Sequence, residues 1–192
     1  MSEFQYYEFQ AVDRPLTEAD RKHLRSISSR AVITSRSLTN TYQWGDFKGD
    51  PVKLMKRCFD LHLYWANWGT HRLMIRLPVR LLDRALLERC IGEDGGAKLH
   101  EAGANVVLDI QSDDDEGGGN DGWDEDWYED GAVLQALAPL RDALLGGDMR
   151  LYYLVWLLGV TIGTFEADDA EPLPGLGPLD DAVLAFGRLM PT

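Results

Sequence analysis

Residues 51–78 read PVKLMKRCFDLHLYWANWGTHRLMIRLP, and the way in which this stretch divides into helix and strand decides the fold. Asp50 precedes it as a helix-capping residue, and Pro51 suits the first position of a helix, where no backbone N–H needs a partner. Apolar residues then recur at spacings of four, three and four, which places them on one helical face: Leu54, Cys58, Leu61 and Trp65. The pattern predicts a helix over residues 51–68, and Gly69 fits the position that follows a helix end.

The remainder of the stretch, HRLMIRLP at residues 71–78, has the alternation of a strand. One set of side chains is expected to point inward: Leu73, Ile75 and Leu77. The other set is expected to point outward: Arg72, Met74 and Arg76. Pro78 ends the pattern, because proline lacks the N–H that a sheet ladder uses. We therefore predict a half-exposed strand after the helix.

Periodicity and capping residues predict further elements on both sides of this stretch. Strands are predicted at residues 4–12, 31–44 (one strand or half of a hairpin) and 104–111. Helices are predicted at residues 18–28, with Thr17 as N-cap, at 80–91, with Asp83 as cap, and at 132–145 and 149–163. This order favours an α+β or α/β fold with a sheet of about four strands flanked by helices. An acidic loop insertion and a C-terminal helical pair complete the predicted architecture.

Composition divides the chain into one domain and a short C-terminal remainder. Residues 1–166 are predicted to form a single α+β domain that includes the acidic loop at 112–131. Residues 167–179, ADDAEPLPGLGPL, are rich in proline, glycine and acid, as linkers are. Residues 180–192 are predicted to form a terminal helix, which either begins a further region or folds back on the core.

Charge is distributed unevenly along the chain, which has 192 residues and a formal net charge of −13. Residues 1–90 carry 15 Lys+Arg against 10 Asp+Glu, a net of +5, and residues 91–192 carry 4 against 22, a net of −18. A duplex would repel the acidic half, so direct nucleic-acid binding is not expected. The hydrophobic content of 45% is that of a globular chain.

Cysteine content and hydropathy bear on the compartment. Cys58 and Cys90 form neither a CxxC pair nor a disulfide framework, which favours a reducing setting, and we expect a cytoplasmic protein. The N-terminus lacks the basic and apolar regions of a signal peptide. The apolar run LYYLVWLLGVTIGTF at 151–165 is about five residues short of the roughly 20 that span a bilayer. We therefore predict a buried core helix there and no membrane partner.

The acidic stretch SDDDEGGGNDGWDEDWYEDG at residues 112–131 does not match a calcium-binding loop. Such a loop needs a glutamate six residues after its glycine, and alignment on Gly122 or Gly131 places Tyr128 or Leu137 there. Its carboxylates could still collect Ca²⁺ or Mg²⁺ weakly. We expect no dedicated metal site.

Zinc and catalytic motifs are weakly supported. Cys58 and His62, four residues apart on the predicted helix, could begin a zinc site, but no further ligand has suitable spacing. No G-x-S-x-G, P-loop or G-x-G-x-x-G motif occurs, so we expect no cofactor and assign no catalytic residue. An unrecognised hydrolase or transferase remains an alternative, in which His71, Asp46 and Asp50 would converge in one cleft.

The most informative side chains are aromatic and charged. Two stretches around the predicted helix, YQWGDFKGDP and YWANWGTHR, carry candidate partner-binding residues: Trp44, Phe47, Trp68, His71 and Arg72. The acidic stretch supplies a second set: Trp123, Asp124, Asp126, Trp127 and Tyr128. A basic aromatic surface can dock a peptide or stack bases. The competing interpretation is that Trp44 and Phe47 pack as lids over the core.

Three stretches carry a family resemblance: EFQYYEFQAVDRPLT at 3–17, YQWGDFKGDP at 42–51 and NWGTHRLMIRLP at 67–78. Together with the acidic Trp-rich segment and LYYLVWLLG, they resemble the N-terminal region of a family of uncharacterised bacterial conserved hypothetical proteins. The resemblance implies no assigned activity and no catalytic residues. It also implies a native chain longer than 192 residues.

The sequence therefore favours a non-enzymatic protein-interaction domain or adaptor that uses an acidic-aromatic segment and a basic aromatic face. Its partner would be another protein or a downstream domain of the same chain. One alternative is a nucleic-acid mimic that inhibits a DNA- or RNA-binding protein through the acidic stretch. The hydrolase or transferase is the other.

Overall fold

A computed structural model describes residues 4–93, 95–113, 131–166, 169–173, 175 and 177–190 of the chain. Within these residues the protein forms an α+β fold with seven strands in one sheet. The predicted α+β class is confirmed. The prediction of about four strands is wrong. The strands at 61–66 and 97–102 were not predicted, and the segment 31–44 forms two strands where one was expected.

The strands are β1 Gln5–Gln10, β2 Val32–Ile33, β3 Ser37–Tyr42, β4 Leu61–Ala66, β5 Thr70–Pro78, β6 Ala97–Ala102 and β7 Asn105–Asp113. The helices are α1 Glu18–Ile27, α2 Pro51–Arg57, α3 Arg84–Ile91, α4 Ala132–Leu145, α5 Arg150–Thr161 and α6 Asp181–Leu189. A 3-10 turn occupies Val79–Leu81. The strands pair in the order β2-β3-β1-β4-β5-β7-β6, and each pair is antiparallel.

The predicted helix 51–68 is wrong beyond its first two turns. Helix α2 begins at Pro51 behind the Asp50 cap, as predicted, but it ends at Arg57. The chain then enters β4, which pairs with β1 on one side and β5 on the other. A strand buried on both faces has no polar alternation, so its apolar residues can coincide with a helical spacing. Gly69 lies in the β4–β5 turn with a φ of 96°, not at a helix end.

The strand predicted at 71–78 is present as β5, but it is not half-exposed. Met74 and Arg76 are buried, and Arg72 is half-buried. A second layer covers this side of the sheet, so apolar–polar alternation within β5 does not correspond to core and solvent.

Two other regions differ from their predictions in strand content. Residues 31–44 were predicted as one strand or half of a hairpin, but they form a whole hairpin of two strands, β2 and β3. Strand β6 is a polar edge strand whose sequence, AKLHEA, lacks the alternation used to recognise strands. Capping is local and is predicted correctly: Thr17 forms a capping box with Asp20 at the start of α1, and Asp83 caps α3.

Apolar layers lie on both faces of the sheet, because the pleat alternates side chains between them. The inner face includes Leu63 and Leu73, and helices α3, α4, α5 and α6 cover it. The outer face includes Phe9, His62 and Met74, and helices α1 and α2 cover part of it. The two layers give the sheet a complete core on one side and a partial core on the other.

A buried ion-pair network joins the two layers at one end of β4. Asp60 accepts from Arg76 Nε at 3.0 Å and Nη2 at 2.5 Å, and from the backbone N–H groups of Val12 and Asp13 at 2.7 and 3.0 Å. Arg141 of α4 donates to the Arg76 carbonyl at 3.0 Å and to both Asp13 oxygens at 2.8 Å. Pairing of this kind is what makes buried charges tolerable. The network therefore fixes α4 against β4 and β5.

Helix α6 packs on α4 and α5 as part of the inner layer. It buries Phe186 and Leu189. Asp180 caps its N-terminus, and Arg150 at the start of α5 pairs with Asp180 and Asp148, each at 2.7 Å. Residues 181–189 thus share the core of the rest of the fold.

The helix predicted at 149–163 is α5, and it is a buried core helix as predicted. No single helix among the described residues has the length and apolar character to cross a membrane. Helices α4 and α5 meet that criterion only as a pair, which is bent by 116°.

Candidate protein-interaction surface

One end of the sheet brings together two exposed tryptophans. The register pairs Gln5 of β1 with Tyr42 of β3 on one side and Ala66 of β4 on the other. Trp44 and Trp68 each lie two residues beyond those partners. The flanking strands are two strand spacings apart, about 10 Å. We call this region, formed by the loop 43–49 and the turn 67–69, the aromatic end.

The loop that carries Trp44 is anchored on both sides of it. Gln5 Nε2 donates to the Gly45 carbonyl at 3.2 Å and to Asp46 Oδ1 at 3.4 Å. Phe47 is buried, with its ring 5.0 Å from that of Tyr7. Trp44 itself is 78% exposed. A fixed loop therefore presents a large apolar side chain to solvent.

The turn that carries Trp68 is fixed by backbone hydrogen bonds. Asn67 N donates to the Phe4 carbonyl at 3.1 Å, and Phe4 N donates back to Asn67 Oδ1 at 3.0 Å. Gly69 N donates to the Ala66 carbonyl at 3.1 Å, and the positive φ of Gly69 allows the tight turn. Trp68 is 45% exposed. The turn thus presents a second indole at the same end of the sheet.

Two lysines accompany Trp44 in sequence. Lys48 is exposed, and the side chain of Lys53 is 82% exposed while it pairs with Asp50 at 3.2 Å. An exposed pair of this kind contributes little to stability. The ammonium groups are therefore available to an acidic partner.

Arg72 does not belong to this exposed set, because Asp109 neutralises it on the outer face. Arg72 Nε and Nη2 donate to the two oxygens of Asp109 at 2.7 and 2.8 Å. His100 Nε2 lies 2.8 Å from Asp109 Oδ2. Burial raises the pKa of the Asp109 carboxyl, but the hydrogen bonds and charges of Arg72 and His100 outweigh it and leave this pKa below its ordinary value.

An aspartate that orients a histidine can serve acid–base catalysis, but the dyad of Asp109 and His100 has no reacting partner. Among the described residues, His100 makes no hydrogen bond to a hydroxyl or a thiol. The cluster is a satisfied ion-pair group that joins β5, β6 and β7.

The tyrosines beneath the loop are structural. Tyr7 and Tyr64 donate to Gln5 Oε1 at 2.9 and 3.3 Å. Burial, supported by the neighbouring phenol of Tyr64, raises the pKa of Tyr7 far above its ordinary value. Both hydroxyls therefore stay neutral at physiological pH and hold Gln5, which in turn holds the Trp44 loop.

His71 and Asp46, two residues of the alternative catalytic cleft, lie on opposite faces of the sheet. His71 lies on the inner face, because it alternates with Arg72 on the outer face. Asp46 contacts Gln5 on the outer side, so the sheet lies between His71 and Asp46. The residues of the second predicted set lie outside the described residues: Trp123, Asp124, Asp126, Trp127 and Tyr128.

Cys58 and His62 are not on one helical face, because α2 ends at Arg57, before both of them, and His62 lies in β4. Burial raises the pKa of the Cys58 thiol to about 11, which opposes the thiolate that zinc requires. His62 is buried in β4 with Nδ1 2.8 Å from the Glu8 carbonyl. In the part of the chain that the structure describes, no three histidine, cysteine, aspartate or glutamate side chains form a group that could hold a metal ion.

The ends of the acidic segment are placed even though residues 114–130 lie outside the described ones. Asp113 pairs with Thr70 beside the turn that carries Trp68. Gly131 returns on the inner face, where a Cβ on it would lie 3.2 Å from Glu8 Oε1. Asp113, the last described residue before the segment, therefore lies beside the aromatic end.

Sequence patterns did not indicate the supports of this surface. Gln5 and Asp109 stand in strands, where one polar residue gives no periodic signal. Gln5, within the aromatic run FQYYEFQ at 4–10, is the one residue whose role the sequence could have indicated. A polar side chain between buried aromatic residues needs a hydrogen-bond partner.

In comparisons with known proteins, no family model, no curated protein and no solved structure matches this chain.

Proposed function

We propose that the protein is a non-enzymatic protein-interaction domain whose docking surface is the aromatic end. The observation that carries the proposal is the exposure of Trp44 and Trp68 at the same end of one sheet. Exposed aromatic side chains on a fixed scaffold are the residues that dominate the binding energy of protein interfaces.

The rigidity of the two loops supports this assignment. Hydrogen bonds from Gln5 and between Asn67 and Phe4 hold the loop backbones before any partner arrives. Little conformational entropy is then lost on binding, so more of the apolar contact free energy appears as affinity.

The chemistry of the surface indicates the kind of partner. Two indoles fit an apolar pocket, and Lys48 and Lys53 beside Trp44 fit an acidic rim around it. We propose as partner another protein, or a downstream domain of the same chain, with such a pocket. We also propose a cytoplasmic setting, because Cys58 and Cys90 are both free thiols, as is usual for proteins of a reducing compartment.

Site-specific photo-crosslinking in the source cell tests the proposal. Trp44→p-benzoylphenylalanine places a photoreactive group at the aromatic end. Val32→p-benzoylphenylalanine is the matched control, because Val32 is also an exposed apolar residue (65%) but lies in β2 at the edge of the sheet.

The expected result is one discrete adduct from position 44 that is missing from position 32 and is lost when Trp68→Ala is added. Equal labelling from both positions, or no adduct from position 44, would contradict docking at this surface.

A further inference from the structure

The sheet has two edges, and they differ in length. β2 at one edge has two residues, Val32–Ile33. β6 at the other edge has six, Ala97–Ala102, and pairs only with β7 among the described strands. A strand at an edge offers a row of backbone donors and acceptors to another chain. Only β6 is long enough to template a further strand.

The ladder fixes which backbone groups of β6 face outward. Gln111 N donates to the Gly96 carbonyl at 2.7 Å, so the backbone groups of Gly96 point toward β7. In an antiparallel ladder the direction alternates with each residue. The N–H and C=O groups of Ala97, Leu99 and Glu101 therefore point away from the sheet, and no hydrogen bond from another described residue reaches them.

The side chains along this edge differ between the two faces. On the inner face, Leu99 is half-buried. Ile162, just after α5, is 46% exposed, and its Cδ1 would lie 3.2 Å from a Cβ on Gly96. On the outer face, Lys98 is exposed and His100 is half-buried. One side of the edge is thus apolar and the other is basic.

Neighbouring acids do not cancel the charge of Lys98. Glu101 is held by Arg84 at 2.6 Å, and Asp109 is held by Arg72 and His100. Within the described part of the chain Lys98 forms no ion pair, so its ammonium favours a partner of opposite sign on the outer side of this edge.

We propose that β6 binds an extended peptide segment of alternating acidic and apolar residues, which adds to the sheet as an eighth strand. The outward backbone groups of Ala97, Leu99 and Glu101 form the ladder. The acidic residues of the peptide lie opposite Lys98 and His100, and its apolar residues lie on the inner face beside Leu99 and Ile162. This site is separate from the aromatic end and does not depend on the function proposed for it.

A second copy of the chain fits this edge less well. An antiparallel pairing of two β6 strands centred on Leu99 would place Lys98 opposite His100 of the other copy. The nearby carboxylate, Asp109, is already held by Arg72 and His100, so this pairing brings no carboxylate to Lys98.

Fluorescence anisotropy with a labelled peptide of four glutamate–valine repeats tests the proposal. The wild-type chain should bind it saturably, and a peptide of four lysine–valine repeats should not bind. Lys98→Glu, an exposed change, should weaken binding about tenfold because it turns one cross-strand attraction into a repulsion. Lys22→Glu, at an exposed position of α1 on the side of the opposite edge strand β2, should leave the affinity within about twofold.

Hydrogen exchange then locates the contact. The peptide should slow exchange of the Ala97, Leu99 and Glu101 amides by at least about tenfold, since these N–H groups gain ladder partners. The proposal is overturned if no saturable binding occurs below about 1 mM, if Lys98→Glu binds as the wild type does, or if those amides are unchanged. Concentration-dependent dimers that protect the same amides without peptide would instead assign the edge to a second copy.

Discussion

The two faces of the sheet are covered in different ways. On the inner face, four helices from the second half of the chain form a continuous apolar layer. On the outer face, α1 and α2 cover only part of the sheet, and the buried side chains there include many polar ones: Gln5, Asn40, Asp60, His62, Arg76 and Asp109. The inner face supplies most of the apolar burial. The outer face supplies hydrogen bonds that fix individual strands and loops.

This difference explains where an exposed surface can persist. The hydrogen bonds of Gln5 hold the Trp44 loop without a helix above it. A loop held in this way can keep an indole in solvent at little cost to stability. The predictions below test the division between the two faces, from the largest expected effect to the smallest.

Breaking the network that joins the faces should have the largest effect. Asp60→Ala leaves Arg76 buried without its carboxylate, and the loss of one partner of a buried ion pair costs about 3–5 kcal/mol. Urea unfolding measures this change. Asp50→Ala, which removes only the exposed cap of α2, should cost about 1 kcal/mol. Equal losses for the two variants would show that the network does not join the layers.

Removing a large side chain from the inner layer should cost slightly less. Phe186→Ala in α6 removes a fully buried ring and should lower the free energy of unfolding by about 3 kcal/mol. Leu184→Ala on the exposed side of the same helix should change it by less than about 0.5 kcal/mol. If Phe186→Ala is as mild as Leu184→Ala, α6 is not part of the inner core.

The outer face should be the origin of an acid-dependent loss of stability. Burial lowers the pKa of His62 to about 3, whereas its ordinary value is about 6.5. Between these values the unfolded chain binds the proton and the folded chain does not, so the free energy of unfolding falls as the pH falls below about 6.5. Between pH 7 and pH 5 the contribution of His62 is about 2 kcal/mol.

His62→Gln tests that contribution. The amide cannot titrate, so the variant should lose about 2 kcal/mol less than the wild type does between pH 7 and pH 5 in chemical denaturation at each pH. An identical pH dependence of the two proteins would mean that His62 is solvated or already charged in the folded state.

Truncating the exposed indoles should have the smallest effect on folding. The double variant Trp44→Ala and Trp68→Ala removes one indole that is 78% exposed and one that is 45% exposed. The free energy of unfolding should therefore fall by no more than about 1 kcal/mol. A loss above about 2 kcal/mol would place these indoles in the core and remove the case for docking.

The sequence predicted local features well because their causes are local. The caps at Thr17, Asp50 and Asp83 depend on side chains within three residues of the helix start. Helix α4 was predicted with its observed bounds, 132–145, since its apolar face meets one layer only.

The central hairpin could not be predicted in the same way. In β4, Leu61 and Leu63 meet the inner layer while His62 meets the outer one. Every position except the half-buried Tyr64 is buried, so the alternation disappears. Only the second layer distinguishes this strand from a helix of the same spacing. The short run between Arg57 and Leu61 gives no glycine or proline to mark the boundary.

The candidate surface was predicted in part. Its aromatic residues were identified from the sequence, but which of them are exposed was not. Trp44 and Phe47 lie three residues apart in one loop, and only the folded backbone leaves Trp44 exposed and Phe47 buried. The ion pair that withdraws Arg72 from the surface depends on Asp109, which is 37 residues away in sequence. Such contacts become visible only when the sheet order is known.

Calorimetric titration of the cross-linked partner, once isolated, tests the central claim most directly. Trp44→Ala should weaken its binding to the full chain at least about thirtyfold, as expected for a residue that contributes about 2 kcal/mol or more, and Val32→Ala should stay within about twofold. Equal affinities for the wild type and Trp44→Ala would contradict docking through the aromatic end.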